Sequence, residues 1–170
     1  MICETIERCR VCNSKDLNFI LFFGNQPLAN ALKNTFDQHE EKYSLTLIFC
    51  SNCSLVQIKE TVDKESLFKK YFWFTGTSST AQRFAQDFYN YTQHIKKLQK
   101  NDIVIEIASN DGTFLKPFIE NNLKAIGVDP AKNIADIANM NGIKTINAFW
   151  NKETANNIVS EYGKAKLIFA

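Results

Sequence analysis

No run of apolar residues in this chain approaches the roughly 18 that a membrane-spanning helix needs. The N-terminus MICETIERCR holds acidic residues and no apolar stretch of signal-peptide length. These two absences make the cytosol the expected address and leave no membrane partner to expect. Excess charge of one sign is lacking too: the formal net charge is +2. Lysines such as Lys96, Lys97 and Lys100 are dispersed among acidic residues, so no concentrated footprint for nucleic acid stands out, and none is expected as a partner. Histidine is scarce. His39 falls in a charged loop and His94 on the polar side of a helical pattern, which reads as solvated surface and not as catalysis. No repeat or low-complexity segment occurs. What remains is a chain of 170 residues, 45% hydrophobic, able to bury an ordinary core in one domain or two small ones.

Cysteine is where the sequence first becomes specific. Cys9-Arg-Val-Cys12 and Cys50-Ser-Asn-Cys53 are both C-x2-C, the spacing at which a tight turn aims two thiolates at one ion. In a reducing compartment a disulfide framework is not expected. Redox C-x-x-C pairs are the competing reading, but neither pair follows a strand and opens a helix as that chemistry requires. A site of four cysteines leaves no position for water or substrate, so Zn2+ held by Cys9, Cys12, Cys50 and Cys53 would be structural. The 37 residues between Cys12 and Cys50 exceed the common finger spacing, so a loop or hairpin lies between the knuckles. Cys3 is left over.

Gly24, Asn25 and Pro27 read as turn signals between the knuckles. In EKYSLTLIFC, Tyr43, Leu45, Leu47 and Phe49 alternate with Ser44, Thr46 and Ile48, predicting a strand into the second knuckle, with SLVQIKE returning. From Ser79 onward Ala81, Phe84, Ala85, Phe88, Tyr89, Ile95 and Leu98 recur at helical spacing, with Ser78, Ser79 or Thr80 as the N-cap. Beyond Asp102 strands (IVIEIA, AIGVD, KTINAF, KLIFA) alternate with helices (TFLKPFIENN, PAKNIADIANMNG, KETANNIVSEYG). That alternation predicts a parallel, doubly wound sheet with ligands at the carboxyl ends of its strands. The expected fold is therefore an α+β zinc-binding domain over 1–75, a linking helix over 76–100, and a Rossmann-like α/β parallel sheet over 101–170. With its fourth strand at Ala170, the sheet reads as incomplete.

The loop after the first parallel strand, VIEIASNDGTFL, lacks the glycines of a dinucleotide site. In the G-x-G-x-x-G register Ala108, Asn110 and Thr113 supply none, and Asp111 would repel a pyrophosphate. A sulfonium and an ammonium, as in S-adenosylmethionine, suit Glu106 and Asp111 better. Asp129 ends the next strand, 23 residues after Glu106, where an acid can accept hydrogen bonds from ribose hydroxyls. Each residue has a second reading: Asp129 as an N-cap, Asn110 and Asp111 as turn residues, Gly112 as a bend.

With CRVCNS, FGNQPLANAL, YSLTLIFCSNCSLVQI, YFWFTGTSS, VIEIASNDGTFLKPF and AIGVDPAKNIADIA together, the chain resembles the N-terminal part of the sugar C-methyltransferase family. Its members are class I S-adenosylmethionine enzymes with a cysteine zinc-binding domain. The resemblance implies methylation of a carbon beside the ketone of a nucleotide-linked 4-keto-6-deoxy sugar, a small-molecule partner. It implies zinc ligands at Cys9, Cys12, Cys50 and Cys53, and cofactor contacts at Glu106, Ser109, Asn110, Asp111, Gly112 and Asp129. Ala108 stands where the family has glycine, so its methyl group is expected to crowd the cofactor. Tyr71 matches a substrate-side tyrosine, while Trp73 and Phe74 replace more polar aromatics. Phe68, Tyr71, Phe72 and Phe74 read equally as packing. The family's base, a histidine, and the sugar lobe are expected beyond Ala170, so this fragment by itself is expected to be inactive. A zinc-ribbon binding module without catalysis is the alternative.

Overall fold

Apolar residues at every second position build the first half of the chain from strands. In the computed structural model, which describes residues 3–29 and 31–170, these are β1 (Cys3–Thr5), β2 (Leu17–Pro27), β3 (Lys42–Cys50), β4 (Val56–Ile58) and β5 (Glu60–Val62). β2, β3 and β4 form one antiparallel sheet in that order, and β1 pairs with β5. Of β3, the fully buried residues are Ile48 and Cys50, at 4% and 0% exposure, on the face opposite Leu47 and Phe49. The core of this unit thus lies on the face that carries the second knuckle.

The expected turn at Gly24, Asn25 and Pro27 is corrected: all three lie inside β2. What the local signals mark is a bulge. The register with β3 shifts between Phe22 and Asn25, and Gly24 there takes φ +82°. A bulge absorbs an extra residue in a left-handed conformation, which glycine adopts without steric cost. The loop joining β2 to β3 follows it.

The chain divides into two units, 1–67 and 68–170. Helix α1 (Lys64–Phe68) lies at that boundary. The boundary precedes the position expected from the sequence, and segment 68–75 falls in the second unit because its backbone is bonded there. Helix α2 (Ser79–Lys96) is also part of that unit and not only a link. It starts where Ser78 accepts a hydrogen bond from the Ala81 amide, and it ends at Lys97 in the left-handed region. Its Phe88 and Tyr89 rings meet Phe118 at 6.3 and 5.1 Å.

The second unit is built on the expected parallel sheet: β6 (Ile103–Ile107), β7 (Lys124–Val128), β8 (Thr145–Ile146) and β9 (Leu167–Phe169), in the order β8-β7-β6-β9. That is the 3-2-1-4 order of a Rossmann-like sheet. Helices α3 (Lys116–Glu120), α4 (Lys132–Met140) and α5 (Lys152–Tyr162) connect the strands. The expected ten-residue helix TFLKPFIENN contracts to five residues, because 113–115 are turns and Pro117 sits in the first helical turn. The third strand is likewise only two residues long. Strand alternation splits the core between the two sheet faces: Val104 and Ala125 pack with Leu115 and Phe118 on one, Ile103, Ile105, Ile126 and Val128 with Ile158 on the other. Glu106, two residues after Val104, therefore enters from the α3 side. No described helix is long and apolar enough to cross a membrane.

Candidate metal centre and cofactor cavity

The two knuckles are backbone copies of each other. Asn13 donates to the Cys9 carbonyl at 3.0 Å and Ser54 to the Cys50 carbonyl at 2.8 Å; Cys9 donates to Ser14 at 2.8 Å and Cys50 to Leu55 at 2.9 Å. Both residues that follow the second cysteine, Asn13 and Ser54, sit at φ 61°. Such a turn folds the chain back so that both thiols leave on one side. The two turns face each other: the Cys9 and Cys53 sulfurs lie 3.6 Å apart, those of Cys12 and Cys50 3.5 Å apart, and all four ligand atoms lie within 4.8 Å of one another. A tetrahedron with Zn–S of about 2.3 Å has S···S edges of ~3.8 Å, whereas a disulfide would need ~2.0 Å. The geometry fits an ion, and the donor set fits zinc.

Charge leads to the same conclusion. The Cys12 amide, with help from the Val11 amide, the Gln57 side chain and Cys53, brings the Cys9 thiol down to about 6 against the cost of burial. Cys12 is lowered chiefly by the Asn52 side chain and the Ser14 amide. Cys53 receives the Leu55 amide, which lowers it, but its contacts with Cys12, Cys9 and Cys50 together with desolvation push it up to about 12. Four thiolates in this space repel one another unless a cation joins them. Arg10, inside the first knuckle, ties the turn to the strands beyond. Its guanidinium donates to the Ile58 carbonyl, to the Glu60 carbonyl at 3.1 Å and to Thr61 Oγ1 at 2.8 Å, while its amide donates to Gln57 Oε1 at 3.2 Å. Nothing in the C-x2-C spacing singles out Arg10 or Gln57. Cys3 stands apart on β1.

In the second unit a cavity of about 310 Å3 opens at the carboxyl ends of β6 and β7. Ala108, Asn110, Asp129, Pro130 and Ala131 line one side; Phe68, Tyr71, Trp73 and Thr75 line the other. A second hollow of about 880 Å3 borders Phe74, Gly76 and Lys116, and of the loop's polar residues it holds Asp111 and Thr113. The smaller cavity is the one at the strand ends, where a parallel sheet of this order places ligands. Of the residues expected to bind cofactor, Ala108, Asn110 and Asp129 border that space. Glu106 and Ser109 do not line it and are buried, at 7% and 2% exposure.

Local geometry explains these positions. The loop leaves β6 through Ala108 at φ 56° and Asn110 at φ 49°, so Ala108 holds a left-handed conformation that the glycine of the resembling family would take without strain. Ser109 turns its side chain onto Gly127, where a Cβ would lie 2.3 Å from the hydroxyl. Gly112 at φ +77° passes Ile143 so closely that a Cβ would lie 2.5 Å from it. Both glycines serve close approach within the fold.

The acids divide into two kinds. Asp129 accepts the Asn110 amide on one carboxylate oxygen and the Ala131 amide on the other, both at 2.8 Å; the N-cap of α4 is Ala131, so the N-cap reading of Asp129 is corrected to that of an acid fixing the turn before the helix. An ionised carboxylate has about four lone-pair sites, and two remain. Asp111 accepts from Gly76 at 2.8 Å and from Thr113 Oγ1 at 2.7 Å. Glu106 differs: burial first, then Asp111 and Asp129, raise its carboxyl to about 9. Its Oε2 and the Ser109 hydroxyl are buried without a hydrogen-bond partner among the described residues. Such orphaned polar atoms cost about 1–3 kcal/mol each and suit a ligand with donors, as an ammonium supplies. The residues present thus fit S-adenosylmethionine, and they offer no glycine-rich cradle to a pyrophosphate.

An N-terminal unit of antiparallel sheets holding four clustered cysteines, followed by a four-stranded parallel sheet with helices, is the class of protein these observations define. Residues 9–68 match the family described as "Putative zinc binding domain". Over 170 residues the chain is 29% identical to "C-methyltransferase NovU" of Streptomyces niveus, a match covering 99% of this chain and 40% of that protein. The resemblance to the N-terminal part of a C-methyltransferase holds, and the chain spans less than half the length of that relative. Among solved structures, the plantazolicin methyltransferase BpumL, in complex with SAH, aligns over 40% of this chain and 29% of its own at 20% identity and a TM-score of 0.33.

Proposed function

We propose that this chain supplies the zinc-binding and cofactor-binding parts of an S-adenosylmethionine-dependent C-methyltransferase acting on a nucleotide-linked 4-keto-deoxy sugar. The observation that carries the reading is the cavity at the β6 and β7 carboxyl ends, bordered by Ala108, Asn110 and Asp129; in the same strand end and loop, Glu106 and Ser109 keep buried atoms without a partner among the described residues. When bound, the cofactor supplies a methyl group on a positively charged sulfur. Asp111 and Asp129 provide the negative field that favours that charge, and the nearby Glu106 carboxyl, which burial holds protonated, would be drawn toward ionisation by the same cation. Asp129 has acceptor sites for ribose hydroxyls. The Asn110 amide fixes the Asp129 carboxylate, and the bend at Gly112 brings the loop back to the sheet. Tyr71 borders the same cavity, in line with a substrate-side role. The zinc, held by Cys9, Cys12, Cys50 and Cys53, is structural because four protein sulfurs fill its coordination.

The sugar and the reaction class rest on the resemblance and on the printed name of the relative. Calorimetry tests the cofactor reading. S-adenosylhomocysteine is expected to bind with one site per chain, while NADH and single-stranded RNA give no heat. Heat from NADH, with none from the sulfur compound, would overturn it; heat from RNA in its place would favour a zinc-ribbon binding module.

A further inference from the structure

Residues 69–74 form neither helix nor strand, so their backbone groups need partners elsewhere. Side chains of the cofactor loop and of α4 provide them. Asn133 accepts from the Tyr71 amide at 3.1 Å and donates to the Tyr71 carbonyl at 2.8 Å. Asn110 repeats the pattern, donating to the Trp73 carbonyl at 3.0 Å and accepting from the Thr75 amide at 3.0 Å. Asp111 then takes the Gly76 amide, at an approach so close that a Cβ on Gly76 would lie 2.9 Å from that carboxylate. The segment is therefore held in register with the loop, residue by residue.

Register decides which side chains meet the ligand space. In an extended chain alternate residues share a face, and Phe74 is extended, with φ −112° and ψ 120°. Accordingly Tyr71, Trp73 and Thr75 line the 310 Å3 cavity, while Phe74 and Gly76 border the other hollow. Trp73 remains 57% exposed. A large aromatic face left open at the rim of a cavity, across from an acid with free acceptor sites, matches a flat heteroaromatic ring carried on a ribose.

We propose that Trp73 is a ligand-contacting residue whose indole stacks on the purine of the bound nucleoside, and that Asn110 is a positioning residue that aims it through the Trp73 and Thr75 backbone. This rests on the cofactor reading above. It gives Asn110 a role different from the direct cofactor contact that the family resemblance implies.

The chain's two tryptophans make the test optical. Trp150 packs against the Ile158 side of the sheet, so its emission should report folding and not the ligand. Titration of the full chain with S-adenosylhomocysteine should quench Trp73 at the affinity found by calorimetry. Trp73→Phe should lose the quench yet keep binding, and Trp73→Leu should weaken binding roughly tenfold or more, as loss of a base stack does. Asn110→Ala should weaken binding in the native background but not further in Trp73→Leu, the non-additivity expected of a residue acting through another. Binding by calorimetry with no quench and with Trp73→Leu unaffected overturns this inference alone. Absence of any binding overturns the cofactor reading and this inference with it.

Discussion

Replacing Glu106 by glutamine tests the electrostatics of the cavity without filling or emptying space. The carboxyl is pushed from 4.5 up to about 9 by burial, with Asp111 and Asp129 adding to the shift. Between those values the folded chain holds a proton that the unfolded chain has released. The resulting stability is therefore fully present below about pH 4.5 and is lost as pH rises through 9. The slope approaches about 1.4 kcal/mol per pH unit, so the native chain should lose about 3 kcal/mol between pH 6 and pH 8 from this group. Glutamine carries no such proton. Both tryptophans, Trp73 and Trp150, fall in unit 68–170 and none in 1–67, so tryptophan emission during urea unfolding follows the relevant unit only. Contributions from other titrating groups are shared by the two proteins and cancel in their difference. Measured at pH 6, 7 and 8, Glu106→Gln should gain on the native protein by about 3 kcal/mol across the range. A difference that stays flat with pH would show that Glu106 is ionised throughout, and the account of an uncompensated buried acid waiting for a cation would fail.

Removal of metal should act on the other unit. One zinc per chain is expected to copurify, and chelation or Cys50→Ser should melt the antiparallel sheets, seen as a loss of far-ultraviolet dichroism with native tryptophan emission retained, since structural zinc contributes on the order of 10 kcal/mol to domains of this kind; unchanged dichroism in metal-free protein would refute the role given to the four cysteines. Ala108→Gly should stabilise the second unit by about 1 kcal/mol, read as a higher urea midpoint, because the alanine sits at φ 56°, where a Cβ is strained and glycine is not; a lower midpoint would mean that chain entropy outweighs that strain.

Two periodicities carried most of the fold. The alternation Tyr43-Leu45-Leu47-Phe49 placed β3, the helical spacing from Ala81 to Leu98 placed α2 with its Ser78 cap, and strand-helix alternation after Asp102 gave the parallel sheet. Turn chemistry was less legible. Gly24 and Asn25 carry the same preference for positive φ whether they close a hairpin or open a bulge, and only the β2–β3 register tells the two apart. The cysteine set could be read from spacing because metal geometry requires it. Arg10, Gln57, Asn133 and Trp73 could not, since their partners lie 37 to 62 residues away in sequence and no local pattern encodes that distance.

The cofactor loop shows why residue type by itself underdetermines role. Asn110, Asp111 and Asp129 all read as ligand residues, yet each spends polar atoms on protein backbone: Asn110 on Trp73 and Thr75, Asp111 on Gly76, Asp129 on Asn110 and Ala131. Glu106 and Ser109 are left with buried atoms that no described protein group satisfies. A buried polar atom without a partner is tolerated where something other than the protein completes it. The unmet hydrogen-bonding demand is therefore concentrated at the buried Glu106 and Ser109, whereas Asp111 and Asp129 chiefly fix the shape of the loop. Sequence shows that acids and amides are present; the hydrogen-bond ledger shows which of them still have something to bind.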